Sequence, residues 1–183
     1  MTTGKAHPDL PLVEAILRGE EDAMREVYTR YAREVWVFLR HHLGDPDLCA
    51  EIRDDVFTEA WRSASKFRGE GSLKSWIFGI ARHRALDVMG RGRAWVPLED
   101  AAEAAPAGDP ERQALRREAV EEFNRALRAL DEDHRSVLLM AFVGGLSYAE
   151  IGRALGCPEG TIKTRVFYAR RKLRELMPEQ GHG

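Results

Sequence analysis

The strongest chemical signal in this 183-residue sequence is the gathering of basic side chains into two blocks. Residues 161–174 contain six Lys and Arg and no acid, and residues 66–95 contain seven Lys and Arg against two acids. Since the net charge of the chain is −2, basic residues do not outnumber acidic ones; they are concentrated in these two parts of the sequence. Two such blocks on a near-neutral protein indicate two surfaces that bind a polyanion. Solvated helix faces are the alternative explanation for either block taken alone.

Acidic side chains form a block of their own. Residues 46–59 carry five acids, with Arg53 as the single basic residue between them. These acids are Asp47, Glu51, Asp54, Asp55 and Glu59. An acidic face of this kind fits a different partner from the one that the basic blocks would bind.

Residues 147–176 have the spacing of a helix-turn-helix. Ser147 followed by Glu150 is a capping box that begins a helix, and Gly156 suits the tight turn after it. Pro158 suits the first turn of a second helix, whose inward stripe is Ile162, Val166, Ala169 and Leu173. In this motif the second helix enters the major groove of DNA, and its N-terminal residues reach base edges.

The side chains of that second helix divide into two groups. The residues predicted to contact bases are Glu159, Thr161, Lys163, Thr164 and Arg165. Their cationic, carboxylate and hydroxyl groups can pair with the donors and acceptors that bases present in the groove. Arg170, Arg171 and Lys172 lie further along and are predicted to hold phosphates. A basic helical hairpin packed on another protein is the alternative.

The elements that must position these residues are helical. Apolar residues recur at helical spacing through most of the chain, and the apolar run 137–143 is better read as a buried helix than as a strand, because it has no second strand to pair with. The periodicity stops in the Ala- and Pro-containing stretch that follows residue 93. We therefore expect an all-α protein with helical domains at 1–93 and 113–183, joined by a flexible linker at 94–112.

Several sequence motifs resemble bacterial sigma factors of the extracytoplasmic-function (ECF) group of the sigma-70 family. The first is the acidic pair before Val-Phe at 54–57, with Trp61 after it, and the second is Phe-Arg-Gly at 67–69. The third is the Ser-Trp-Ile-Phe-Gly-Ile-Ala-Arg stretch at 75–82, and the last is Pro-Glu-Gly-Thr-Ile-Lys-Thr-Arg at 158–165. The resemblance extends from about Val13 to Leu176 and keeps the family order on both sides of the variable linker.

The resemblance implies a role for each block. The residues implied to dock on the clamp coiled coil of core RNA polymerase are Asp54, Asp55, Phe57 and Glu59. Those implied to recognise and melt the −10 promoter element are Arg68, Gly69, Glu70, Gly71, Ser72, Leu73, Lys74, Ser75, Arg82, His83 and Arg84. Leu73 and His83 depart from the family pattern, at positions where −10 preference would be set. The basic helix of the helix-turn-helix would read the −35 element.

Other function classes find no support in the sequence. The six histidines and two cysteines show no metal-ligand spacing, and no phosphate-binding glycine motif occurs, so we expect no enzyme activity, no metal and no cofactor. We also expect no secretion signal, no membrane insertion and a cytoplasmic location. The expected partners are core RNA polymerase, promoter DNA and, by the resemblance, an anti-sigma factor. The alternative is a stand-alone helix-turn-helix regulator whose N-terminal domain senses a ligand or dimerises.

Overall fold

The computed structural model describes residues 8–92 and 110–177, and every regular element in these two ranges is helical. The first range holds α1 (Leu10–Leu17), α2 (Glu21–Leu43), α3 (Pro46–Arg62), a short 3-10 turn (Ala64–Lys66) and α4 (Leu73–Gly90). The second holds α5 (Pro110–Arg128), α6 (Glu132–Phe142), α7 (Tyr148–Leu155) and α8 (Glu159–Leu176). The predicted all-α fold is confirmed, and the apolar run at 137–143 lies in α6 and its C-cap.

Short polar side chains set where these helices begin. The Asp45 carboxylate accepts hydrogen bonds from the amides of Asp47 and Leu48 and so caps α3, whose first residue is a proline. The Ser72 hydroxyl caps α4 by accepting a hydrogen bond from the Ser75 amide at 3.1 Å. Asp131 caps α6 in the same way through the His134 amide.

The N-terminal helices pack around the middle of α2. Val35, Phe38 and Leu39 are completely buried there and meet Ile77 and Phe78 of α4. The Phe38 and Phe78 rings contact edge to face, with their centroids 5.4 Å apart. Because edge-to-face aromatic pairs add to the stabilisation from burial alone, this contact fixes the position of α4.

The C-terminal helices enclose a second group of apolar side chains. Val137 and Met140 of α6 are fully buried, together with the inward stripe Ile162, Val166 and Ala169 of α8. Leu173, the fourth member of the predicted stripe, is half-buried at the end of this group. The packing therefore holds α8 by one face and leaves its opposite face to solvent.

The two helical groups are not separate bodies, because their buried side chains form one continuous core. A Cβ atom on Gly144, between α6 and α7, would lie 3.2 Å from the Phe78 ring of α4. The His42 ring at the end of α2 is buried, with Nε2 3.1 Å from the Ser136 hydroxyl of α6. The two predicted helical domains therefore contact each other in this structure.

The predicted linker lies mostly outside the described residues. Of residues 94–112, only the last three are described, and they form the first turn of α5. The division into domains at 1–93 and 113–183 therefore stays a prediction.

Candidate nucleic-acid and protein interfaces

The predicted helix-turn-helix is formed by α7 and α8, and its capping box is present. The Ser147 amide donates to the Glu150 carboxylate at 2.9 Å, and the Glu150 amide donates to the Ser147 hydroxyl at 3.2 Å. Burial pushes the pKa of Glu150 upward, but hydrogen bonds from Ser72 and Ser147 outweigh it and hold the pKa below its ordinary value. Glu150 is therefore a stable carboxylate that fixes the start of α7.

Two glycines shape the turn between α7 and α8. Gly156 ends α7 with a φ of +65°, a left-handed conformation that strains other residues. A Cβ on Gly152 would lie 2.6 Å from the Cys157 carbonyl oxygen. The missing side chain at Gly152 therefore makes room for the backbone of the turn itself. Pro158 is the residue that caps α8 rather than a member of its first turn.

Most predicted base- and phosphate-contacting residues project from the free face of α8. The exposed ones are Glu159, Thr161, Lys163, Thr164, Arg170, Arg171 and Lys172. Arg165 differs, since it is half-buried, lies 3.4 Å from the Asp133 carboxylate of α6 and contacts the Cys157 sulfur at 3.8 Å. The free face is thus a cationic strip, with one of its predicted base readers turned towards α6.

Two aromatic residues on this free face were missed by the sequence analysis. Phe167 is 63% exposed and Tyr168 is 44% exposed, and their ring centroids are 5.5 Å apart. The Arg171 guanidinium lies 4.9 Å from the Tyr168 ring centroid. The predicted base contacts include only charged and hydroxyl side chains, whereas apolar side chains can also contact bases through the thymine methyl groups. Helical periodicity could have identified both rings, because they lie on the side of α8 away from its buried stripe, about one turn beyond Thr164.

The predicted −10 loop connects the 3-10 turn to α4. Arg68 and Glu70 are exposed, and Gly69, which has a φ of +69°, Gly71 and Ser72 are half-buried. The structure corrects the assignment of Leu73 and Ser75, which are each only 2% exposed. The Leu73 amide donates to the Asp9 carboxylate, and the Ser75 hydroxyl donates to the Ser72 carbonyl. These two residues hold the loop in place and do not face solvent.

The cationic residues of α4 are paired with acids from several elements. Lys74 lies 2.6 Å from Glu34 of α2, and Arg84 donates to Glu59 of α3 at 2.6 Å. Arg82 donates to Asp133 of α6 at 2.6 Å. His83 is exposed, beside Asp87 one turn away. A predicted DNA contact, Arg84, and a predicted polymerase contact, Glu59, therefore bind each other in this structure.

An open groove between α2 and α3 contains two of the four predicted polymerase contacts, Asp54 and Phe57. Its lining residues are Glu21, Met24, Arg25, Tyr28, Asp54, Phe57, Thr58, Trp61 and Arg62. The Tyr28 hydroxyl donates to the Asp54 carboxylate at 3.1 Å, and burial together with this hydrogen bond raises the pKa of Tyr28. Trp61 is half-buried at the groove wall, and Asp55 is exposed.

Phe57 does not offer the free ring that the polymerase assignment would require. It is 4% exposed and packs against Tyr28, with the ring centroids 4.8 Å apart. Its role in this structure is to support the floor of the groove. The polar rim at Asp54, with the apolar floor beneath, has the composition of a protein-docking surface.

Among residues 8–92 and 110–177 there is no group of three His, Cys, Asp or Glu side chains that could hold a metal ion. No helix in these ranges is long and apolar enough to cross a membrane. Cys49 is buried, and burial raises the pKa of its thiol to about 12.

Comparison with known protein families matches both helical groups in order along the chain. Residues 27–95 match the family described as Sigma-70 region 2, and residues 120–173 match the family described as Sigma-70, region 4. The first match covers the groove residues from Tyr28 onward, the −10 loop and α4, and the second covers α6, α7 and α8 as far as Leu173. The residues predicted for the polymerase, −10 and −35 contacts thus all lie inside the matched residues.

Individual relatives match over nearly the whole chain. The RNA polymerase sigma-H factor of Pseudomonas aeruginosa is 29% identical over 180 residues, covering 92% of this chain and 93% of that protein. The ECF RNA polymerase sigma-E factor of Escherichia coli K12 is 28% identical over 173 residues, covering 88% of this chain and 90% of that protein. Among solved structures, the sigma factor RpoE of Bartonella quintana, in complex with the anti-sigma factor NepR, has a TM-score of 0.67 at 25% identity, covering 86% of this chain and 98% of that one.

Proposed function

Because the chain belongs to the sigma-70 family, in its extracytoplasmic-function group, we propose that it binds core RNA polymerase and directs transcription initiation from specific promoters. The observation that carries this proposal is the presence of region 2 and region 4 in one chain, each with its own candidate surface. A stand-alone helix-turn-helix regulator would need only the second of them.

The proposed division of labour assigns each surface a binding partner. The α2–α3 groove, which Asp54 lines, would dock on the polymerase clamp together with the exposed Asp55 of α3. The free face of α8 would lie in the major groove of the −35 element, where Lys163 and Thr164 can reach base edges. Further along the helix, Arg170, Arg171 and Lys172 would hold phosphates.

We propose that the −10 element is opened by the loop at 68–72 together with α4. An unstacked base costs a few kcal/mol, which a pocket that reads its edge can offset. Gly69 and Gly71 let the DNA approach the loop backbone closely, and Glu70 and Ser72 supply polar groups. Lys74, Arg82 and Arg84 would hold the single strand after leaving their present carboxylate partners.

An anti-sigma factor and a cytoplasmic setting complete the proposal. The RpoE relative is solved with the anti-sigma factor NepR. We propose that a protein of this kind also inhibits this chain, by covering the same α2–α3 groove that the polymerase needs. No catalytic step is assigned to the chain itself, because its role is to position the polymerase on DNA.

Run-off transcription with purified core polymerase tests the proposal. Transcripts from a cognate promoter should appear only when the chain is added. Asp55→Lys should weaken binding to core polymerase by roughly tenfold through charge reversal at the interface. Lys163→Ala should leave polymerase binding intact and lower promoter use by roughly tenfold through the lost base contact.

Glu118→Lys is the matched control, since it reverses an exposed charge on α5, outside all the proposed surfaces. It should behave as the wild type in both measurements. Transcription that does not depend on the added chain, or an Asp55→Lys variant that binds polymerase normally, would overturn the corresponding assignment.

A further inference from the structure

Two consecutive residues at the start of α1 contact the proposed −10 loop and the residue that follows it. The Asp9 carboxylate accepts a hydrogen bond from the Leu73 amide at 2.7 Å, across 64 positions of sequence. A Cβ on Gly69 would lie 3.4 Å from the Leu10 side chain, in ordinary van der Waals contact. Helix α1 therefore contacts the loop near its beginning and binds the backbone at its end.

The Asp9 side chain stabilises α4 rather than its own helix. Asp9 is the N-cap residue of α1, a position where an aspartate side chain usually accepts hydrogen bonds from the turn that follows. Here the side chain makes no such bond, although the Asp9 backbone carbonyl accepts from the Val13 amide at 3.0 Å. The carboxylate is instead bound to the first amide of α4.

The beginning of α4 has no negative charge of its own. Its first turn contains no acid, and its cap, Ser72, is uncharged. A carboxylate at the start of a helix binds amides that have no partner within the helix and interacts favourably with the helix dipole. Asp9 is half-buried, so this pairing is partly shielded from water and salt. Asp9 therefore supplies from α1 the charge that α4 lacks.

The same carboxylate also lies close to α2. Burial is the main cause that raises the pKa of Tyr31, and the negative charge of Asp9 is the second. The Lys74 ammonium lies 5.8 Å from the Tyr31 ring centroid and 2.6 Å from the Glu34 carboxylate. Three helices thus meet where the loop ends, and Asp9 holds the start of α4 against the other two.

Leu10 supports the loop at its other end. Gly69 has a φ of +69°, in the left-handed region, and Gly71 lies two residues further on. Because glycines contribute no side-chain packing and restrict the backbone little, such a loop depends on its neighbours for a fixed shape. The half-buried Leu10 side chain provides an apolar contact of this kind at Gly69.

We propose that Asp9 and Leu10 are positioning residues for opening of the −10 element, because they hold the loop backbone and the start of α4 in the geometry that receives an unstacked base. Ordering a mobile loop would consume part of the binding free energy that must offset unpairing of the base. A loop that is already in place avoids this loss. The inference deepens the proposed function and rests on it, since it assumes that this loop opens promoter DNA.

Transcription from two versions of one promoter tests the role of Asp9. One version is a normal duplex, and the other has a template strand mismatched across the −10 element, which leaves it open with its non-template bases unchanged. With a saturating amount of the complex between core polymerase and the full chain, Asp9→Ala should lower run-off transcription from the duplex by roughly tenfold, which corresponds to about 1.4 kcal/mol. On the open template the variant should stay within about twofold of wild type, because no unpairing cost remains.

Conservative and matched variants separate positioning from folding. Asp9→Asn keeps an oxygen that can accept from the Leu73 amide, so it should retain most of the transcription from the duplex. Leu10→Ala should reproduce the loss on the duplex alone, whereas Leu17→Ala, at an exposed position of the same helix, should not. Glu14→Ala removes an exposed carboxylate from α1 and should behave as wild type on both templates.

Two results would overturn the inference. An equal loss of transcription on both templates would show that Asp9 only maintains the fold. Unchanged transcription of Asp9→Ala from the duplex would show that its bond to Leu73 has no part in opening. A wild-type chain that drives no transcription from the duplex would instead refute the proposed function, on which the inference rests.

Discussion

The buried imidazole of His42 predicts how the stability of this protein depends on pH. Burial is the main cause that lowers the pKa of His42 from its ordinary value of 6.5 to about 3. In the unfolded chain the ring would recover its ordinary pKa. Below pH 6.5 the unfolded chain therefore binds a proton at His42 that the folded protein does not bind. As a result, the free energy of unfolding decreases as the pH falls from 6.5 towards 3.

The expected size of this effect follows from the linkage relation. A pH of 5 lies one and a half units below the ordinary pKa of His42. At about 1.36 kcal/mol per unit, protonation of the ring stabilises the unfolded chain by about 2 kcal/mol at this pH. The groups that face the ring are His41 on α2, Arg82 on α4, and Glu132, Arg135 and Ser136 on α6. Of these, His41 has a pKa lowered to about 4, mainly by burial, and adds to the loss in the same direction.

The measurement compares wild type with His42→Gln in urea unfolding at pH 7.5 and pH 5.0. The free energy of unfolding of wild type should fall by about 2 kcal/mol more than that of the variant between the two pH values. The reason is that only the unfolded wild-type chain can bind a proton at position 42. The pKa values of Asp131 and Glu150 are lowered from 3.8 and 4.5, so these groups titrate below the window. Gly160→Ala, on the exposed face of α8, changes no titratable group; it is the control and should keep the wild-type pH dependence. Equal pH dependence in wild type and His42→Gln would refute the reasoning, even if the variant is less stable at both pH values.

Two further predictions concern the helix-turn-helix. Gly152→Ala should destabilise the protein by about 1–3 kcal/mol, because the added methyl group would clash with the Cys157 carbonyl oxygen. Thermal or urea unfolding measures the effect, and an unchanged unfolding midpoint would contradict the prediction. Gly160→Ala is its control, since a Cβ there meets nothing within 4 Å and alanine favours the helix. Phe167→Ala should leave the fold intact and reduce the affinity of the polymerase complex for promoter DNA roughly fivefold, as expected for a lost contact of about 1 kcal/mol. A binding titration measures this affinity, and an unchanged value would show that the ring does not contact DNA.

Local structure was the part most accessible from sequence. The capping box of Ser147 and Glu150 was identified because a short hydroxyl side chain followed three residues later by a glutamate is typical of a helix start. The turn at Gly156 followed from the preference of a left-handed residue after a helix for glycine. Such features depend on neighbours within four residues, so the sequence contains all the information that they need.

The arrangement of the two helical groups was not accessible in this way. The contacts of His42 with Ser136 and of Arg82 with Asp133 join residues separated by 94 and 51 positions. No periodicity or motif encodes which distant residues will meet. The burial of Leu73 and Ser75 was missed for the same reason, since it depends on Asp9 and on the packing of α4.

The shared carboxylate of Asp133 also constrains how this protein can evolve. A change at Arg82 or Arg165 that alters promoter preference would also leave this carboxylate with one arginine partner instead of two. Selection on target genes and selection on the packing of α4, α6 and α8 would thus act on the same two side chains. Descendants that acquire new target genes should therefore carry paired changes, one at an arginine and a second at or near position 133.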